Sequence, residues 1–206
     1  MKITYIFIGL LACALGVGIA QYIMPNADPA HEFSGSGSTT GQVIPDKLGG
    51  NFTLMQADKP VELSDFQDKL VVMYFGFASC PDVCPTTLTV IASALRELTP
   101  EELENVQPIF ISVDPERDQG ENLMAYATYF HPSFIGITGG ANEVQKVANQ
   151  YGAFFFKSQS DSAMGYTIDH TSETYLVSEG GKHVTALPHE MTSDSLLDAI
   201  RTRLQQ

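Results

Sequence analysis

Cysteine is scarce in this chain, which has three in 206 residues: Cys13, Cys80 and Cys84. A closed structural zinc site normally takes four protein ligands, and no fourth cysteine is available to complete one. The cysteines therefore point away from a zinc-stabilised fold and towards a site with fewer ligands.

Basic residues are scarce as well. Lys and Arg total 11 against 24 Asp and Glu, which gives a formal net charge of −13. A phosphate backbone would be repelled by this charge, so nucleic acid is not expected as a partner. The acidic surface suits a basic protein partner, or it serves solubility alone.

Charged residues are missing altogether from residues 3–24, a run long enough to cross a bilayer as a helix. We expect a membrane anchor here, and Lys2 before the run predicts a cytoplasmic N-terminus by the positive-inside rule. The remainder would then lie in the periplasm of a bacterial inner membrane. A cleaved signal peptide and a lipoprotein signal with lipid on Cys13 are the alternatives, but the apolar run continues past Cys13 to Ile19.

Residues 25–44 are rich in Pro, Gly, Ser and Thr, with Ser and Gly alternating over Ser34–Ser38. This composition is typical of a flexible linker. The hydrophobic content of 44% is sufficient for one substantial core, so we expect a single domain over residues 45–206.

Within that domain, short apolar runs alternate with segments of helical period. Leu70–Phe75 is an uninterrupted apolar run of strand length, which is typical of a central strand buried on both faces. Apolar residues at the helical period follow from Thr87 to Leu98. The complete pattern, βαβαβαββα, predicts an α/β sandwich with a mixed central sheet, of thioredoxin-like type.

Cys80 and Cys84 fall at the predicted turn from that strand to that helix. The positive end of a helix dipole lowers the pKa of a nearby thiol, and the resulting thiolate both binds metal and attacks disulfides. Three residues separate the cysteines, where thioredoxin-type redox pairs have two, which favours chelation. A disulfide that only stabilises the fold is the third interpretation.

His170 is the distant imidazole that could complete a three-ligand site. Soft thiolates select Cu(I), and an added imidazole also lets a site hold Cu(II), so the trio favours copper over other metals. Asp169 could accept a hydrogen bond from the ring of His170, although an exposed turn residue is equally consistent with the sequence. Residues 114–118 read as a turn or helix cap after a strand.

Three motifs in order resemble the Sco/SenC family: residues 75–85 around the cysteines, Ser112–Asp118, and Asp169–Thr171 before a strand. The similarity covers about residues 45 to 204. It implies a thioredoxin-like domain that binds one copper through Cys80, Cys84 and His170. It also implies a role in assembling the binuclear copper (CuA) centre of cytochrome c oxidase subunit II, or in keeping the cysteines of that centre reduced.

We therefore expect a membrane-anchored copper metallochaperone, with subunit II as its partner. Another periplasmic copper carrier or a thioredoxin-like reductant would be a further partner. The alternatives are a thiol-disulfide oxidoreductase, in which Cys80 attacks and Cys84 resolves, and a redox or copper sensor. His170 separates the first two functions, because disulfide exchange does not require it.

Overall fold

The structure is a computed structural model that describes residues 48–160, 165–178 and 181–205. The predicted anchor at 3–24 and linker at 25–44 lie outside these residues. Over the described ranges, no helix has the length and apolar character needed to cross a bilayer.

The central sheet has five strands, which are in spatial order β5 (Ile135–Ile137), β4 (Val106–Ser112), β3 (Leu70–Gly76), β8 (Thr174–Ser178) and β9 (Lys182–Leu187). Strands β3, β4 and β5 are parallel, whereas β8 runs antiparallel to both β3 and β9. The predicted α/β fold with a mixed central sheet is thus confirmed.

The described helices are α1 (Val83–Arg96), α2 (Pro100–Glu104), α3 (Gly120–Phe130), α4 (Ala141–Gln150) and α5 (Ser193–Leu204), together with a 3-10 turn at Leu63–Phe66. All seven residues of β3 are buried, as its apolar run predicts for a strand covered on both faces. The core therefore lies on both sides of β3, directly below the loop that carries Cys80.

Two small hairpins flank this sheet. One consists of β1 (Thr53–Gln56) and β2 (Lys59–Glu62), and the other of β6 (Phe155–Gln159) and β7 (Tyr166–His170). Alternation and turn residues over residues 50–63 predict the first hairpin, whereas the second was not predicted, because β6 and β7 are exposed or half-buried except at Ile168 and have no regular apolar alternation.

The first helix begins earlier than its apolar period predicts, at Val83 rather than near Thr87. Cys84 consequently belongs to the first turn of α1, with Cys80 in the loop before it. The short helix α2 was also not predicted; a capping box between Thr99 and Glu102 begins it.

Candidate metal centre

The two cysteines are held by the connection from β3 to α1. Cys84 is fully buried in the first turn of the helix, and Cys80 is half-buried in the preceding loop. The first N–H groups of a helix have no partner within it, and one of them, that of Cys84, donates to Sγ of Cys80 at 3.5 Å. The helix terminus therefore stabilises a thiolate on Cys80.

His170 reaches the same place from the end of β7. Its Nε2 lies 3.4 Å from Sγ of Cys84, and its Nδ1 lies 2.8 Å from the carbonyl oxygen of Thr171. A carbonyl only accepts, so Nδ1 carries a proton, and Nε2 is the ring nitrogen that faces the sulfur atoms. The rings of Tyr74 and Phe77 flank the imidazole edge-on, at centroid distances of 6.2 and 5.8 Å.

The sulfur atoms of Cys80 and Cys84 and a ring nitrogen of His170 all lie within 4.8 Å of one another. Two soft sulfurs and one imidazole fit copper better than they fit a hard cation such as Mg²⁺ or Ca²⁺. The structure thus brings together the three predicted residues, from segments 86 positions apart, in an arrangement suited to one copper ion.

The two thiols differ in protonation. The hydrogen bond from the thiol of Cys84 lowers the pKa of Cys80 to about 3, against the opposing effect of burial, with a further contribution from His170. The same hydrogen bond raises the pKa of Cys84, and its burial acts in the same direction. The reduced pair therefore carries one thiolate, on Cys80, and one proton, on Cys84.

Gly76 makes room for the buried sulfur. A Cβ atom at this position would lie 2.7 Å from Sγ of Cys84, closer than such atoms can approach. The hydroxyl of Tyr74 lies 3.9 Å from the same sulfur, and burial raises the pKa of Tyr74, so the phenol keeps its proton and can donate. Neither residue was predicted as a ligand or a neighbour of the metal, because both belong to the buried strand β3.

Asp169 does not take the place that the sequence suggests for it. Its side chain is exposed and accepts a hydrogen bond from the hydroxyl of Ser158 on the neighbouring strand. Successive residues of a strand point to opposite faces, which turns Asp169 away from the His170 ring. The acceptor for that ring is the carbonyl of Thr171 instead, and a side-chain motif cannot reveal a backbone acceptor.

The segment Asp114–Asp118 is a turn, as predicted, but its charges do not cap α3, whose N-cap residue is Gln119. Both aspartates face inward and are 0% and 4% exposed. Their burial could have been suspected from the sequence only because two acidic residues follow a buried strand closely.

Two other histidines, His131 and His189, make hydrogen bonds away from the cysteines. His131 bonds Ser133 at 2.7 Å and His189 bonds Thr87 at 3.0 Å. His31 lies outside the described residues, and the side chain of His183 is not among those described.

The sequence model of the SCO1/SenC family matches residues 41–205. The chain belongs to this family. The SCO2-like protein RP587 of Rickettsia prowazekii is 31% identical over 202 residues, which cover 97% of each chain.

Two solved structures of the family bear on the site. Arabidopsis thaliana ScoI with copper bound is 34% identical, with 77% of this chain and 99% of that chain covered and a TM-score of 0.69. BsSco, a member of the Sco family of cytochrome c oxidase assembly proteins in which a disulfide switch was identified, is 26% identical. That comparison covers 76% of this chain and 95% of BsSco, with a TM-score of 0.57.

Proposed function

We propose that this protein binds one copper ion through Cys80, Cys84 and His170 and delivers it to the binuclear copper (CuA) centre of cytochrome c oxidase subunit II. The observation that carries the proposal is the convergence of two sulfurs and an imidazole nitrogen within 4.8 Å, in a member of the SCO1/SenC family. The copper bound to the Arabidopsis relative supports the identity of the metal.

The protonation of the site prepares it for a cation. Cys80 is already a thiolate, Nε2 of His170 faces the sulfurs, and Cys84 has to release its proton. Because metal competes with that proton, copper affinity should rise with pH.

Delivery follows from the asymmetry of the site. Cys84 is closed off in the core, whereas Cys80 and His170 are only half-buried. A site with three protein ligands can accept a further Cys or His from the acceptor, so copper can pass by ligand exchange on the accessible side. Oxidation of the pair to a disulfide would remove both thiolate ligands and end delivery.

Anaerobic titration of the reduced full-length chain with copper tests binding. We expect one tightly bound copper per chain and sulfur-to-Cu(II) charge-transfer absorption after oxidation of the metal. The His170→Ala variant should bind much more weakly, while His189→Ala, at another half-buried histidine, should bind normally. Equal affinity in the His170→Ala variant and the wild type would refute this ligand set.

Delivery needs a separate measurement. The copper-loaded chain is mixed with the reduced, copper-free soluble domain of subunit II, and the copper content of each is determined after separation. Transfer of copper to that domain supports a metallochaperone. Retention of all the copper, despite normal binding, would show that this protein does not load subunit II.

A thiol-disulfide reductase is the second candidate, favoured by the half-exposed thiolate of Cys80 beside a protonated Cys84. The Cys80 thiolate would attack a disulfide in the partner, forming a mixed disulfide and releasing one partner thiolate. Cys84 would then lose its proton and attack the sulfur of Cys80, releasing the second thiolate. The partner gains two electrons, and this chain ends with a Cys80–Cys84 disulfide.

The His170→Ala variant separates the two candidates. A reductase should still reduce the disulfide form of subunit II at close to the wild-type rate, although copper binding is weakened. A parallel loss of both activities would instead connect thiol chemistry to the intact metal site.

Each candidate function implies a further partner. A thioredoxin-like reductant would be needed to regenerate the dithiol, and a second periplasmic carrier is a suitable source of copper.

We also propose that residues 3–24 anchor the chain in a bacterial inner membrane, with the linker at 25–44 holding the domain in the periplasm. The uncharged run of 22 residues supports the anchor. Resistance to carbonate extraction, together with digestion of the domain by protease added to spheroplasts, would support this topology. Intact mass spectrometry of the mature chain distinguishes a retained anchor from cleavage or lipid on Cys13.

A further inference from the structure

The ligands of the proposed copper site come from two separately hydrogen-bonded sheets. Cys80 and Cys84 follow a strand of the central sheet, whereas His170 ends the hairpin formed by β6 and β7. In the described part of the chain, this hairpin shares no strand pairing with the central sheet. Residues 171–173 connect β7 to β8 of the central sheet, so the distance between the imidazole and the sulfurs depends on this short connection and on the side chains that join the two sheets.

On the cysteine side, Asp118 holds the loop that carries Cys80. Its Oδ2 accepts one hydrogen bond from the backbone N–H of Ala78 and one from the hydroxyl of Ser112, both at 2.7 Å. Ala78 lies two positions before Cys80, and Ser112 ends β4. The carboxylate thus fixes the cysteine loop to the end of the neighbouring strand.

On the histidine side, Arg117 holds the strand β7, which carries His170. Its guanidinium group lies 3.9 Å from the centre of the Tyr166 ring, and its Nη1 donates to the carbonyl of Tyr166 at 3.2 Å. Asp114, whose side chain is fully buried, accepts from Nε of Arg117 and, at 2.8 Å, from the hydroxyl of Tyr166. Tyr166 is the first residue of β7 and His170 is the last.

A second contact joins the same elements near the imidazole. The guanidinium of Arg117 lies 5.8 Å from the centre of the Phe77 ring, and the Phe77 ring lies 5.8 Å from that of His170. Phe77 belongs to the cysteine loop. Arg117 is therefore placed between the loop that carries one ligand and the strand that carries another.

We propose that Arg117, held by Asp114, is a positioning residue that sets the location of His170 relative to the two sulfurs. Asp118 does the same for the cysteine loop. Arg117 itself need not touch the copper, because it acts through Tyr166 and β7. This inference rests on the proposed copper function and goes beyond it, since it assigns a role to residues other than the ligands.

The chemistry of arginine explains why this position is occupied by arginine and not by another cation. A planar guanidinium can stack on the Tyr166 ring and donate from several nitrogens at once, whereas a lysine ammonium is a point charge that cannot do both. Fixed outer contacts of this kind orient metal ligands, and their loss typically lowers metal affinity about 10–100-fold.

The Arg117→Lys variant tests the proposal, because it keeps the charge beside buried Asp114. We expect its copper affinity to fall about 10–100-fold, with a change in the nitrogen hyperfine signal of bound Cu(II). In a His170→Ala background the same substitution should cause no further loss. Asp118→Asn should still weaken binding in that background, because it acts on the cysteines.

Arg201→Lys is the matched control. Arg201 pairs with Glu102 at 2.9 Å and also donates to the carbonyl of Glu97. Among the contacts of the described residues, none links this pair to the ligands. Copper affinity should therefore not change in this variant. Unchanged affinity in Arg117→Lys, or an equal loss with and without His170, would overturn the proposal.

A readout without copper keeps the proposal separate from the proposed function. In the reduced, metal-free chain labelled with ¹⁵N-histidine, Arg117→Lys should shift or broaden the ring signals of His170 and leave those of His131 in place. If the wild type bound no copper, the proposed function would fail, while this spectrum would still decide the role of Arg117. Unchanged His170 signals would refute that role.

Should Arg117→Lys not fold, Tyr166→Phe provides the second variant. It keeps the aromatic ring below the guanidinium and removes only the hydroxyl, which lies 2.8 Å from Asp114 and 3.3 Å from Glu116. Loss of the hydroxyl, with the Arg117 guanidinium kept, predicts a smaller decrease in copper affinity, about fivefold, and again no decrease in the His170→Ala background. An affinity equal to that of the wild type would contradict the proposed chain of contacts through Tyr166.

Discussion

The two halves of the site are held in different ways. The cysteine half continues from β3, in which every residue is buried, into α1, which buries Cys84, Leu88 and five further side chains in the core. The histidine half belongs to the hairpin of β6 and β7, where Ile168 is the one buried residue among those described.

A metal site can thus combine one ligand that is fixed in the core with another that stays accessible to a partner. The position of Cys84 follows from core packing, so it is as stable as the domain itself. The position of His170 follows from one buried side chain of its hairpin, Ile168, and from a few hydrogen bonds and ring contacts, whose local opening should cost much less free energy. The cysteine half should therefore respond to core substitutions, and the histidine half to single polar contacts.

The largest expected effect is on the cysteine half. Leu88→Ala should lower the free energy of unfolding by about 2–5 kcal/mol, because a fully buried leucine in α1 leaves a cavity. For Ile168→Ala in the hairpin, the loss of unfolding free energy should lie near the lower limit of that range, since a half-exposed hairpin can relax around the cavity. Urea denaturation of both variants measures the difference, and equal losses would contradict the proposed contrast.

Gly76→Ala should have the next largest effect, about 1–3 kcal/mol, because its Cβ would meet Sγ of Cys84 at 2.7 Å in a packed core. The displaced sulfur should also weaken copper binding. Gly140→Ser is the control: it adds a Cβ whose nearest neighbour is 3.4 Å away, at a helix N-cap that favours serine. Normal copper affinity in Gly76→Ala would show that the sulfur is not confined by β3.

A smaller effect is expected in the histidine half from Thr171→Val. The Thr171 hydroxyl accepts from the backbone N–H of Phe154 at 3.1 Å, and its loss should cost about 1 kcal/mol. Hydrogen exchange should accelerate about fivefold for amides of β6 and β7 while those of β3 stay unchanged. Equal acceleration in β3 would mean that the hairpin and the sheet open together.

The smallest expected effect comes from alkylation, which leaves the fold intact and allows the reactivity of the two thiols to be compared. Because the pKa of Cys80 is lowered to about 3, its alkylation by iodoacetamide should hardly change between pH 6 and 8 in the metal-free reduced chain. A thiol with an ordinary pKa would react roughly 75-fold faster at the higher pH. Cys84, buried and protonated, should react only after unfolding.

Mass spectrometry of the alkylated peptides assigns the rates to each cysteine. In the Cys84→Ala variant the alkylation rate of Cys80 should depend more steeply on pH, because the main hydrogen bond to the thiolate is lost. A steep pH dependence in the wild type would contradict the thiolate state of Cys80.

The order of strands and helices was largely predictable because the core is layered. A run such as Leu70–Phe75 has few alternatives to a buried central strand, and the helices that cover it repeat apolar residues at their own period. The hairpin of β6 and β7 was not predictable by this reasoning, since polar contacts rather than burial define it.

The sequence also provided the chemistry of the site. Two cysteines at a strand-to-helix turn and one distant histidine were sufficient to favour copper, and the resemblance to Sco/SenC proteins placed the residues in one site. Being next to His170 in the sequence did not place Asp169 beside its ring, because neighbours along a strand point to opposite faces. The inward charges of Asp114 and Asp118 were missed because the segment was interpreted as a turn or helix cap.

The sequence by itself determined which atoms could bind metal and which segments form the core, since both depend on residue type and local period. Only the tertiary structure decided that Nε2 of His170 faces Cys84, that Thr171 supplies a carbonyl to its other nitrogen, and that Arg117 joins the two ligand-bearing elements. These contacts connect residues far apart in the chain, or backbone atoms that every residue has. Their formation depends on how the hairpin packs against the sheet, which no local pattern encodes.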